Sequence, residues 1–268
     1  MGNYLKHVDL CSGIGGFSLA FEEVGLSRTI MFCDTEKWCR QLLAKHWPDV
    51  PITEDVKELA NDPERLVPDC DILTAGYPCQ SFSVAGKQRG TEDDRHIWPY
   101  IFRIVAHKRP TWCVFENVYG HVGMGLDEVL HDLEGEGYST RTFIVPASGI
   151  GARHKRDRLW VVAHTDSERR CSWDTKRQDA GNVGEPSRSA RNNTRGVEER
   201  QSLPELVRMA DGIPTRMDGF DGWDTEPEDI PRVVTGMKGR ANRLKGLGNA
   251  IVPQIAMNIG LAIKEQLQ

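Results

Sequence analysis

The sequence predicts an α/β fold: a doubly wound, mostly parallel sheet with a small irregular module set into it. Three observations predict it. Short apolar runs of strand length alternate with helix-periodic stretches from Tyr4 to Ala163, and strands that alternate with helices pair in parallel with helices on both faces. The first run ends in Cys11-Ser12-Gly13-Ile14-Gly15-Gly16, a glycine turn between a strand and a helix. From Thr165 to about Arg200 the chain becomes polar, rich in Arg, Asp, Ser, Asn and Gly, and too poor in large apolar side chains to continue a sheet.

Each element has its own signal. Tyr4 to Leu10 reads as the first strand, and Phe17, Ala20, Phe21 and Val24 fall on one face of a helix that Gly25 ends. Thr29 to Cys33 is the second strand, Trp38 to His46 a helix, and a short third strand precedes Asp55. Asp71 to Ala75 is the fourth strand, and Trp98 to Ala106 a helix that Pro110 stops. Thr111 to Phe115 is the fifth strand, ending in Glu116-Asn117-Val118. A helix over Asp127 to Glu136 follows, then strands at Thr140 to Val145 and Leu159 to Ala163. Order is expected to return at Ile230 to Val234, with Gly248-Asn249-Ala250-Ile251-Val252-Pro253 opening a last helix through Leu267. The expected organisation is 1–164, an inserted module at 165–230, and a return segment at 231–268.

Composition narrows the class. No uninterrupted apolar run is long enough to cross a bilayer, and the amino terminus has no signal-peptide core. Lys6 stands where a myristoylation signal at Gly2 needs Ser or Thr. Seven scattered cysteines with no C-x-x-C pair predict a reducing cytoplasm, no disulfides and no metal cluster. The formal charge of −5 lacks the basic excess common in nucleic-acid binders. Basic residues nevertheless cluster locally at Lys87 to Arg89, His107 to Arg109, Arg153 to Arg158 and Arg240 to Lys245.

Chemistry concentrates at two strand ends. Cys79 follows Pro78 just beyond the fourth strand, and Glu116 ends the fifth, so both are expected at the crevice outside the carboxyl ends of the sheet. Asp34 follows Gly13 by roughly 20 positions, the spacing at which an acid accepts from a ribose. A thiol beside a carboxylic acid suits covalent addition to an electron-poor ring, the acid bonding a ring nitrogen. Addition at carbon 6 of cytosine would make carbon 5 an enamine carbon able to attack a sulfonium methyl.

These residues resemble a known family. Asp9 to Gly16, Pro78-Cys79-Gln80, Glu116-Asn117-Val118, Arg156-Asp157-Arg158 and Gly248-Asn249-Ala250 are similar to the ordered motifs of the cytosine-5 DNA methyltransferases. The resemblance spans roughly positions 5–164 and 230–267, and lapses where that family keeps its variable target-recognition segment. It implies a Rossmann-like methyltransferase fold, S-adenosylmethionine as cofactor and double-stranded DNA as substrate.

Carried onto this chain, the resemblance implies Cys79 as nucleophile and Glu116 at N3 and the exocyclic amine. Arg158 would bond the cytosine O2, Arg156 would steady the catalytic loop or a phosphate, and Asn117 would hold the Pro78–Cys79 turn. Gly13, Ile14 and Gly16 would line the methionine end of the cofactor, Asp34 the ribose and Asp55 the adenine amine. Val56, Pro78, Asn249 and Ile251 would close that site. The loop from Ser81 to Gly90 would close over a base flipped from the stack, and Gln80, Ser83, Lys87, Gln88 and Arg89 would touch DNA. Thr35 and His154 depart from the family, which usually has a bulky residue and a glutamine there. The expected setting is a monomer in a bacterial cytoplasm or encoded by a phage. A cognate restriction endonuclease is its partner where it serves a restriction–modification pair.

One alternative shares the residues, and the others leave some of them without a use. The tRNA-methylating branch of the same family shares the motifs and differs in the unread module. A zinc deaminase needs His-x-Glu and Pro-Cys-x-x-Cys, and neither is present. A nicotinamide oxidoreductase leaves Cys79 and Glu116 without a use. A non-catalytic DNA-binding relative has no reason to keep Cys79, Glu116 and Arg158.

Overall fold

A computed structural model describes residues 4–78, 96–152, 155–165 and 240–267. Within them one sheet runs in the order β3-β2-β1-β4-β5-β7-β6. Its strands are β1 (Leu5–Leu10), β2 (Ser27–Cys33), β3 (Ile52–Thr53), β4 (Ile72–Ala75), β5 (Trp112–Val118), β6 (Ser139–Pro146) and β7 (Asp157–His164). The helices are α1 (Gly16–Glu23), α2 (Lys37–His46), α3 (Val56–Asn61), α4 (Pro63–Leu66), α5 (Trp98–Lys108), α6 (Leu126–Gly135), α7 (Arg240–Asn249) and α8 (Pro253–Glu265). All described residues fall in one compact unit.

The pairs β1–β2, β2–β3, β1–β4 and β4–β5 are parallel, whereas β7 runs antiparallel to both β5 and β6. The expected mostly parallel sheet is therefore the one observed. β7 reverses because the short link from Pro146 to Asp157 has no room for the crossover helix that a parallel return requires.

Alternation along the strands sorts the core into two layers. Ile72, Trp112, Val114 and Trp160 face α1 and α8, meeting Phe17, Phe21, Ile255 and Ile263. Leu73, Ala75, Cys113, Phe115 and Val161 face α3, α5 and α6, meeting Leu59, Trp98, Ile101, Ile104 and Leu133. Helices on both faces make the sheet doubly wound.

Two regions differ from the sequence expectation. The turns α3 and α4 are too short to show a helical period. They are specified by caps, with Asp55 and Asp62 side chains accepting from Lys57 N–H and Arg65 N–H and Pro63 opening α4. The carboxyl-terminal helix does not open at Gly248: Asn249 ends α7, and α8 begins at Pro253, which needs no helical N–H partner in the first turn. The basic run from Arg240 is thus helical. Its Gly246 rests on α2, where a Cβ would lie 2.5 Å from Trp38 Cζ3.

One described stretch, Ala241–Glu265, has the length and apolar composition of a membrane span. It is broken between α7 and α8, and Ile255, Ala256 and Ile263 are buried against the sheet.

Candidate active site

The strand order reverses between β1 and β4, and an open α/β sheet forms its crevice at that point, outside the carboxyl ends of the strands. The Cys11–Gly16 turn leaves β1 there, and Gly76-Tyr77-Pro78 leaves β4. Ile251, from the link before α8, fits between them. Its Cγ1 lies 2.6 Å from where a Gly16 Cβ would stand, and its Cγ2 lies 3.3 Å from where a Gly76 Cβ would stand.

The glycine turn is held by side chains on both sides. Gly13 and Gly15 have φ of 55° and 81°, backbone that side chains resist. Ser12 Oγ donates to Asp9 O at 2.6 Å, lies 3.2 Å from Cys33 O, and accepts from Cys33 N–H. Gly13 N–H donates to Asp34 Oδ2 at 2.7 Å, and Glu36 N–H to Oδ1 at 2.8 Å. Burial pushes the Asp34 carboxyl above its ordinary pKa, and the two backbone N–H groups pull it back. Each carboxylate oxygen keeps a second lone pair for a hydroxyl donor.

The other residues assigned to the cofactor are more dispersed. A Cβ on half-buried Gly13 would meet nothing within 4 Å. Ile14 is half-buried and packs on Gly246 of α7, while Gly16 is filled by Ile251. Asp55 is half-buried and caps α3 through Oδ1, 2.9 Å from Lys57 N. Val56 is only 3% exposed and belongs to the core beneath α5. Pro78 and Asn249 are exposed.

Glu116 is the buried acid of the site, at 6% exposure near the carboxyl end of β5. Antiparallel pairing sets it opposite Trp160, so Arg158 lies two residues along β7 on the same face. Arg158 Nε stands 2.9 Å from Glu116 Oε1. The contact is an ion pair, and the Arg158 charge lowers the Glu116 pKa. Burial pushes the Glu116 pKa up to about 7 even though Arg158 and Arg156 both lower it. Across the crevice, a Cβ on Gly76 would lie 3.9 Å from Glu116 Oε2, so the backbone leading to Cys79 passes beside this carboxyl.

Arg156 has φ of 40°, a left-handed backbone that costs about 1–2 kcal/mol in a non-glycine residue. Its Nη2 donates to Gly248 O and Ala250 O, each at 2.7 Å, and these two charge-assisted bonds offset the strain. Arg156 therefore ties the start of β7 to the segment that carries Ile251. Buried Asn117 accepts from Val118 N–H at 2.8 Å, and its Nδ2 has no partner among the described residues. Cys79, Gln80, Ser83, Lys87, Gln88, Arg89 and His154 lie outside the described residues, as does the module expected at 165–230 apart from Thr165.

Sequence reasoning gave Asp9 no role of its own. It is fully buried, accepts from Thr74 Oγ1 at 2.8 Å and Ser18 Oγ at 3.0 Å, and is pushed up to about 7 by desolvation. Thr74 also bonds His7, which bonds Thr29, so a polar chain crosses β4, β1 and β2 inside the apolar layer. The signal was available: a lone acid inside an apolar strand is buried only with partners.

A family model described as C-5 cytosine-specific DNA methylase matches residues 5–210. The chain is 32% identical to Type II methyltransferase M.HhaI of Haemophilus parahaemolyticus over 163 residues, 59% of this chain and 48% of that protein. It is 29% identical to Type II methyltransferase M.NgoFVII of Neisseria gonorrhoeae over 248 residues, 88% of this chain and 65% of that protein. The chain thus spans about half to two thirds of the length of the curated relatives it matches. Among solved structures, the S. pombe Dnmt2 methyltransferase matches with a TM-score of 0.53 at 21% identity, covering 67% of this chain and 57% of that one. The Entamoeba histolytica methyltransferase EhMeth matches with a TM-score of 0.61 at 14% identity over the whole of both chains. At these identities the two structures show a shared fold.

Proposed function

The chain belongs to the C-5 cytosine-specific DNA methylase family, and from that premise we propose that it transfers a methyl group from S-adenosylmethionine to carbon 5 of cytosine in double-stranded DNA. The observation that carries the reading is Glu116: a carboxyl buried beside two arginines, with its pKa pushed up to about 7. Such a group is partly protonated at neutral pH and can give a proton to a ring nitrogen as charge develops there.

The cofactor site fits the group on three counts: open space beside Gly13, an Asp34 carboxylate with lone pairs for ribose hydroxyls, and Asp55 nearby for an amine. Ile14, Ile251, Pro78 and Asn249 complete its walls; Gly16 and Val56 act behind them, through packing. When bound, S-adenosylmethionine supplies a sulfonium methyl, an electrophile that carbon 5 can take.

The chain's own residues supply the rest. The Cys79 thiolate forms a bond to carbon 6, and the ring electrons it displaces are met by the proton Glu116 gives to N3. Arg158 holds Glu116 in place and presents a positive group beside the cytosine O2. After transfer, with S-adenosylhomocysteine released, water accepts the carbon-5 proton, the bond from carbon 6 to the Cys79 sulfur breaks to return the thiolate, N3 gives its proton back to Glu116 and the aromatic ring returns. Because no side chain reaches carbon 6 inside a duplex, the base is flipped out, with Gln80, Ser83, Lys87, Gln88 and Arg89 along its path.

Residues 1–164 are the catalytic and cofactor-binding domain in this reading, 165–230 the target-recognition module and 231–268 the return to the sheet. The protein works as a cytoplasmic monomer in a bacterium or from a phage gene, and pairs with a restriction endonuclease where one is encoded with it. Bisulfite sequencing of DNA from cells expressing the protein tests the reading: methylated cytosines in one sequence context are expected. Unmethylated DNA beside methylated tRNA in the same cells would move the substrate to RNA.

A further inference from the structure

Tyr77 and His121 close a buried hydrogen bond that the proposed chemistry leaves without a task. Tyr77 follows β4 and precedes Pro78, whereas His121 lies in the 3-10 turn Tyr119–Gly123 directly after β5. The phenol oxygen and Nε2 are 3.1 Å apart, the rings meet edge-on, and the two residues are 5% and 4% exposed. Burial and the neighbouring His96 lower the His121 pKa, so the ring is neutral. In the tautomer with its proton on Nδ1 the ring accepts from Tyr77 O–H at Nε2, and in the other tautomer Nε2 donates to the phenol oxygen.

The surroundings hold both rings in place. Tyr77 packs on Trp98 at 5.8 Å, and Trp98 meets Phe115 of β5 edge-on at 5.2 Å and donates to Asp132 at 2.9 Å. Gly125 leaves space for the imidazole, since a Cβ there would lie 2.7 Å from His121 Cε1. His96 lies 3.4 Å from Glu128 Oε1. Thus the chain on both sides of 79–95, at Tyr77 and at His96 to Trp98, joins one buried cluster that also holds the turn after Glu116.

Packing alone does not demand the hydroxyl. A phenylalanine would fill the same space without burying a polar group that must find a partner. What the hydroxyl adds is direction: it fixes the loop that leaves β4 against the turn that leaves β5. We propose that the Tyr77–His121 hydrogen bond is a positioning device that fixes the backbone at Tyr77 and Pro78, and so the point from which the chain continues to Cys79, against the turn that follows Glu116. The inference rests on the function proposed above. Small errors in the placement of reacting groups are costly in rate, which is why such a tether matters.

The test compares wild type with Tyr77→Phe, His121→Leu and His121→Gln, using unmethylated bacterial genomic DNA and radiolabelled S-adenosylmethionine. Tyr77→Phe and His121→Leu are expected to lower kcat about threefold to tenfold, the effect of one lost hydrogen bond. KM for DNA and Kd for S-adenosylhomocysteine should stay within about twofold, since both side chains are buried. His121→Gln keeps an acceptor near Nε2 and should recover most of the loss. Iodoacetamide labelling of Cys79, followed by mass spectrometry, should change in rate in Tyr77→Phe with no DNA present. Unchanged kcat and labelling in Tyr77→Phe overturn the proposal, as does a His121→Leu defect that follows melting temperature and is not rescued by glutamine. If the wild type methylates no DNA but the labelling rate responds to Tyr77→Phe, the functional reading fails and the tether stands.

Discussion

Arg158 Nε stands 2.9 Å from Glu116 Oε1, between neighbouring antiparallel strands and on one face of the sheet. A buried carboxyl with a fixed cation is normally held ionised. Here desolvation outweighs both arginines and leaves the pKa at about 7. The arrangement keeps an acid that can still give up its proton near neutrality.

That balance sets a pH dependence. In the proposed mechanism Glu116 is protonated in the addition step, so kcat is expected to fall as pH rises above about 7. Glu116→Gln should cut the rate by about 10²–10⁴ and remove that falling limb. Initial rates of radiolabelled methyl transfer between pH 6 and 9 (from roughly one unit below that pKa to two above) check it. A limb that survives in Glu116→Gln would assign the titration to another group.

Cys79→Ala should abolish transfer while calorimetry still shows S-adenosylhomocysteine binding. DNA carrying 5-fluorocytosine in a verified target should give a covalent complex with wild type, because fluorine cannot leave as a proton does. Absence of that complex on a denaturing gel would count against covalent addition.

Asp9 links pH to stability. Its pKa rises from 3.8 unfolded to about 7 folded, so its contribution is complete below the unfolded value and is lost as pH rises through about 7. At about 1.4 kcal/mol per unit the loss is on the order of a few kcal/mol. Glu116 acts in the same direction, so the difference between wild type and Asp9→Asn isolates Asp9. The variant should show a flatter profile from pH 4 to 8 (about the span of the shift) in urea midpoints. An unchanged slope would mean that Asp9 is not titrating.

Gly16→Ala should destabilise the fold by about 1–3 kcal/mol, because the added methyl would stand 2.6 Å from Ile251 Cγ1. Combining it with Ile251→Ala should cost less than the two single changes together, with a coupling of about 0.5–3 kcal/mol. Additive values from urea unfolding would show that the residues do not press on one another.

Much of the fold and of the site is legible in the order of the residues. Strand–helix alternation puts β1 to β7 nearly where they form. Spacing singles out Asp34 as a ribose acceptor, and the 2.7 Å hydrogen bond from Gly13 N–H to its carboxylate is not part of that signal. The helices α3, α4 and α7 are not legible in this way. The first two owe their form to caps rather than to period. The third owes its place to Gly246 lying on Trp38, a contact roughly 200 residues apart in sequence that no local pattern announces.

Sequence by itself determined the sheet class, the chemistry-bearing residue types and the family, because these are written in local periodicity and in short ordered motifs. Only the tertiary structure decided that Asp9 anchors a polar chain through three strands and that Arg156 binds the carbonyls of Gly248 and Ala250. It also decided that Ile251 fills the gap between Gly16 and Gly76, and that Glu116 is buried deeply enough to raise its pKa to about 7. The physical reason is that a side chain's partners and its desolvation depend on residues far away in the chain, whereas the tendency to form a strand or a turn does not.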